Sequence, residues 1–143
     1  MTNFTFRMTI AAATLLVAAG AASAQTLKAE IPFTFRAGDK LMTAGAYRVD
    51  TSHNNGGAPV FRIRSMDGSD AVLVMAASAG DAKKAWRDAG NAVLAFECAA
   101  NRCALTQLYD GTSAPAYKFH YRAPGKDEPT RTAYVVMRPY TGD

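Results

Sequence analysis

Cys98 and Cys103 are the only cysteines in the chain, separated by four residues in 96-FECAANRC-103. Three chemistries suit such a pair: a redox couple, half of a metal site, or a disulfide staple. A catalytic dithiol usually takes the form C-x-x-C beside a βαβ pattern, and this segment has neither feature. A zinc site needs two further Cys or His ligands, and the chain offers only His53 and His120, both remote in sequence. A staple across a hairpin joined by a four-residue loop suits the spacing, provided the two Cβ atoms face each other. A free thiol pair is the next reading. No metal and no cofactor is called for.

The second candidate is 83-KKAWR-87, where Lys83, Lys84 and Arg87 flank the sole tryptophan, Trp86. Cations beside an aromatic suit an anionic glycan, a lipid headgroup or an acidic protein partner. The competing reading is a solvated loop whose tryptophan packs back on the sheet. Arg62, Arg64, Lys118, His120 and Arg122 would form a second basic patch if their strands were neighbours. The case for an enzyme is weak. Gly-x-Ser-x-Gly, His-Glu-x-x-His and a phosphate-cradling loop are all lacking from the sequence. Asp50, Asp67, Asp70, Asp81 and Asp88 fall at turn or cap positions, where aspartate is commonly structural.

The compartment follows from the first residues. Arg7 lies in a short amino-terminal region, 9-TIAAATLLVAAG-20 is apolar, and 22-ASA-24 supplies small residues for cleavage. Together these read as a secretory signal peptide over 1–24. The apolar run is shorter than the roughly 20 residues of a spanning helix. The expected mature chain is residues 25–143, periplasmic or extracellular and not integral to a membrane. Disulfides persist in such compartments, which favours the staple. Residues 25–143 keep fifteen Lys+Arg against twelve Asp+Glu, and the pI of the chain is about 9.2. That permits contact with an anionic envelope component but lacks the clustered motif of a nucleic-acid binder.

The elements that must position these residues are short strands. In 28-KAEIPFTFRAGDK-40, Ile31, Phe33 and Phe35 alternate with polar residues, with Pro32 marking an edge or bulge. Tyr47 and Val49 share a face, as do Phe61 and Ile63. 66-MDGS-69 signals a tight hairpin, and 71-AVLVMA-76 reads as a central strand covered on both faces. Asp81 is placed to cap a helical turn over 82–89, closed by Gly90; the alternative for 78–91 is a long mobile hairpin loop. Leu94, Phe96 and Cys98 face Cys103, Leu105 and Tyr109 across a hairpin. Tyr117, Phe119 and Tyr121 alternate on the next strand, and 131–138 forms the last. Eight to nine short strands at this spacing predict an all-β, single antiparallel β-sandwich or small β-barrel.

The opening 31-IPFTFRAGDKLMTAGAYRV-49 resembles a family of small, exported, uncharacterised β-proteins abundant in acidobacteria. The residues that carry the resemblance are Pro32, Phe33, Phe35, Gly38, Leu41, Ala44, Gly45, Tyr47 and Val49. The family's usual proline before Ala-Gly is Thr43 here, with one extra residue after Leu41. The resemblance implies an exported single β-domain and no particular activity. The functional expectation is a non-catalytic envelope or extracellular contact module. A small apolar-ligand carrier is the alternative, with a cell-envelope enzyme behind it.

Overall fold

The computed structural model describes residues 25–52, 57–112 and 115–142. The expected signal peptide and His53 lie outside them. Ten strands are present: Leu27–Ile31 (β1), Phe35–Ala37 (β2), Lys40–Met42 (β3), Gly45–Ser52 (β4), Val60–Ser65 (β5), Ala71–Gly80 (β6), Ala92–Ala99 (β7), Arg102–Tyr109 (β8), Ala116–Phe119 (β9) and Thr130–Pro139 (β10). One short helix, Lys84–Ala89 (α1), sits between β6 and β7.

The all-β expectation holds, and of the two architectures it allowed, the barrel is the one adopted. The order β8-β7-β10-β1-β4-β5-β6-β9 closes on itself through a β8–β9 pairing, and every pairing round this eight-stranded ring is antiparallel. β2 and β3 lie outside the ring. β9 is short and stops at Phe119. Beyond it the β2–β3 hairpin takes its place: β2 pairs with β8 in parallel at Cys103 and Ala104, while β9 pairs with β8 at Gln107 and Leu108. On its far side the hairpin reaches β6, where Lys40 Nζ donates to the Ala71 carbonyl at 3.0 Å and pairs with Asp70.

Alternation fills the interior. Phe35, Tyr47, Phe61, Ile63, Leu94 and Phe96 are all essentially inaccessible and belong to one core cluster. Phe96 stands among edge-on rings, with Phe33 at 5.0 Å and Phe35 at 5.4 Å between centroids.

Several expectations are corrected. The alternation over 31–36 is not one strand: β1 ends at Ile31 and β2 begins at Phe35, and Pro32, which has no N–H to give a ladder, lets the chain leave the ring. The 71–76 run is covered on one face only, with Leu73 63% and Met75 64% exposed. A closed ring has one inside, so each strand in it has an outward face. The helix begins at Lys84 with Lys83 at its cap and no side-chain capping bond, so Asp81 does not cap it; Gly90 does close it, at φ 65°. β9 ends before Tyr121. The register of β7 against β8 shifts between Ala95 and Phe96, with Thr106 as the extra residue. That bulge turns Tyr109 to the outer face, away from Cys103 and Leu105.

Cys98 and Cys103 are directly opposed and joined by a disulfide, as the staple reading requires. The strands run further than the expected four-residue loop allows. Ala99 pairs with Arg102, leaving a two-residue turn in which Ala100 takes φ 54°. Both cysteines are buried in the core. Replacing both with alanine is expected to lower stability by about 2 kcal/mol from loop entropy alone. A fall in the urea midpoint at unchanged slope would show it.

Candidate anion-contact face

The structure places the residues of 83-KKAWR-87 in different settings. Trp86 is buried on the outside of the barrel, in a second small cluster with Ala82, Val93, Ala95, Tyr109 and Ala116. Its ring stacks near Tyr109 at 6.3 Å and meets Tyr134 edge-on at 5.7 Å. Lys83 Nζ donates to the Tyr134 hydroxyl at 2.6 Å. Lys84 pairs with Asp88 at 2.9 Å, one helical turn away, and Arg87 is exposed. The tryptophan therefore packs back on the sheet, and one of the three cations is matched by an acid. Lys83, Lys84 and Arg87 all remain exposed beside it.

The second expected patch divides as well. β6 separates β5 from β9, so Arg62 and Arg64 do not adjoin Lys118. His120 and Arg122 follow the end of β9 and line a groove of about 810 Å³ with Arg36 and Arg102. Glu97 and Asp39 share that groove, and Arg102 is matched by Glu128 at 2.6 Å.

Strand order assembles a different cluster. Arg138 of β10 lies directly opposite Lys28 of β1, Lys28 opposite Arg48 of β4, and Arg48 opposite Arg64 of β5. Four cations thus stand in one line across four neighbouring strands, all on the outer face. Adjacent strands are about 4.8 Å apart, so the line is roughly 14 Å long. Arg62 lies two residues from Arg64 on the same strand and face. The nearby acids are Glu30, 3.9 Å from Lys28, and Asp50, which faces Arg62 and accepts from Thr26 Oγ1 at 2.6 Å.

Like charges directly opposed across a sheet are destabilising by roughly 0.2–1 kcal/mol a pair. Part of that repulsion is relieved where the Arg48 guanidinium lies 4.3 Å from the centroid of Tyr140. Arg48 Nε is buried and has no hydrogen-bond partner among the described residues. A small notch of about 140 Å³ opens beside Arg48, Arg64 and Tyr140. Chemically the face can hold anions by charge and by guanidinium hydrogen bonds. Sequence reasoning found Arg62 and Arg64 but missed the line. Each of its four members occupies an outward strand position, yet their alignment depends on which strands are neighbours and in what register.

Two titratable groups are displaced from their ordinary values. Hydrogen bonds from Ser69 and Ser65 hold the fully exposed Asp67 carboxyl at about 2, which fits a turn-forming role. Tyr121 donates its hydroxyl to Glu97, and that bond raises its pKa above 10.0. The raised value means that Tyr121 adds stability below about pH 10 and loses it as pH rises through its folded-state pKa. In an ultraviolet titration of tyrosinate, one tyrosine that ionises above pH 10.0 is expected to disappear in Tyr121→Phe.

No protein family, no curated protein and no solved structure matches this chain.

Proposed function

We propose that this barrel is an exported, non-catalytic contact module that docks on an anionic component of the cell envelope through the outer face of β10, β1, β4 and β5. One observation carries the reading: Arg138, Lys28, Arg48 and Arg64 are mutually opposed on consecutive strands. Such a line costs folding stability, and an anion laid along it converts the repulsion into attraction. Arg62 adds a fifth cation to the face, against Glu30 and Asp50. That excess of three equals the net charge of residues 25–143, fifteen cations less twelve acids. The export element rests on the amino-terminal pattern 1–24.

The test is cosedimentation with vesicles of a neutral lipid alone and of the same lipid mixed with an anionic one. Binding is expected only to the second. It should weaken with salt as the screening length shrinks from about 10 Å at 0.1 M to about 3 Å at 1 M. Equal binding to both vesicles, or none to either, overturns the reading of the face. Intact mass of the protein recovered from a periplasm tests export separately, with Gln25 expected as the first residue.

A further inference from the structure

On the opposite side of the barrel, register builds a second line of a different character. Tyr134 of β10 faces Ala95 of β7, Ala95 faces Gln107 of β8, and Gln107 faces Lys118 of β9. The small Ala95 between larger neighbours leaves a groove of about 300 Å³, the lower end of the range for small-molecule sites. Trp86 and Lys83 stand at one wall, Glu97 and Tyr121 at the other.

We propose that this groove is a saccharide-binding site that takes a neutral sugar chain across β10, β7, β8 and β9. Two tyrosines give it open aromatic surface, Tyr134 at 48% and Tyr121 at 38% exposure. Each is pinned through its hydroxyl by a charged side chain, Tyr134 by Lys83 and Tyr121 by Glu97. Tyr134 is further braced by the edge of Trp86. Platforms held in place before binding lose little entropy when a ligand arrives.

Between the platforms lie the Gln107 amide, the Lys118 ammonium and the Thr132 hydroxyl. Their side chains make no hydrogen bond to protein among the described residues. The amide and the hydroxyl both donate and accept, and the ammonium donates. An apolar ligand would leave them unsatisfied on burial. The groove carries both signs, Lys83 and Lys118 against Glu97, with Lys83 engaged by Tyr134 and Glu97 by Tyr121, so charge alone does not select its ligand. A ligand with apolar ring faces and a rim of uncharged hydroxyls satisfies both the tyrosines and the amide.

Trp86 is the sole tryptophan, so its emission reports on this groove alone. The purified protein is titrated with chitotetraose, cellotetraose and maltotetraose, by calorimetry and by Trp86 emission together. At least one sugar is expected to bind saturably at about 0.1–10 mM, a range typical of weak association. The Trp86 signal should follow the heat, and high salt should leave both unchanged. Tyr134→Ala and Gln107→Ala should each weaken binding about tenfold or more, one step of 1.4 kcal/mol. Tyr134→Phe, which keeps the ring, should stay within about threefold. Both side chains point outward, so circular dichroism of the variants should match the parent. The proposal is overturned by no saturable binding of any of the three sugars. It is equally overturned by binding that leaves Trp86 silent, that salt abolishes, or that Tyr134→Ala leaves intact.

Discussion

Phe96→Ala is expected to lower the stability of the barrel by about 3–5 kcal/mol, the usual cost of deleting a buried aromatic ring. Phe96 is inaccessible to solvent and sits edge-on to both Phe33 and Phe35. Phe35 in turn meets Tyr47 edge-on at 5.3 Å. The four rings come from β7, the segment after β1, the outer hairpin and β4. Removing the middle ring leaves a cavity and also unties the hairpin from the ring of strands. A domain of this size has about 5–15 kcal/mol to lose, so the loss is a large share of the total. Phe96→Leu keeps most of the volume and should cost less, about 1–2 kcal/mol. Urea unfolding followed by circular dichroism separates the two. Equal losses would mean that the ring contacts, and not volume, hold the hairpin in place.

The second large effect is expected at the line of cations. Each Lys or Arg close to an anionic surface contributes about 1 kcal/mol of attraction. Changing Lys28, Arg48 and Arg64 to glutamate reverses three such charges, so affinity for anionic vesicles should fall by about a thousandfold or more. The unusual part is the accompanying stability. Arg64→Glu alone turns the repulsive Arg48–Arg64 pair into an attractive one, so its melting temperature should rise while its binding falls. A surface arginine that merely solubilises the protein would show neither change. Loss of binding together with loss of folding would instead assign Arg64 a structural role.

Much of the fold was legible because inward residues alternate along most of the strands. Tyr47 and Val49, Phe61 and Ile63, and Leu94 and Phe96 point inward as their spacing requires. Legibility failed where the pattern was interrupted by a single residue. Thr106 is one such place: a bulge carries no mark in composition, and it moved Tyr109 from the core to the outer face beside Trp86. Leu73 and Met75 failed differently. Their hydrophobicity suggested cover on both sides, whereas a closed ring leaves one side open. The disulfide was readable because two cysteines allow one pairing. The contact faces were not, because Arg138 and Lys28 lie more than a hundred residues apart and meet only through strand order.

The way the ring closes limits how anything can attach to it. Among the described residues every strand but β3 has at least two strand neighbours. β3 is three residues long, and its Lys40 is already engaged with Asp70 and Ala71. A lone short strand guarded by a lysine is a poor template for strand addition. Backbone augmentation, one way an extended peptide joins a sheet, would have to begin on an edge that is short or already partly paired. Recognition has to be read from side chains standing on the outer wall. Evolution could therefore exchange partners by changing outward positions alone, without disturbing the hydrogen-bonded cylinder beneath them.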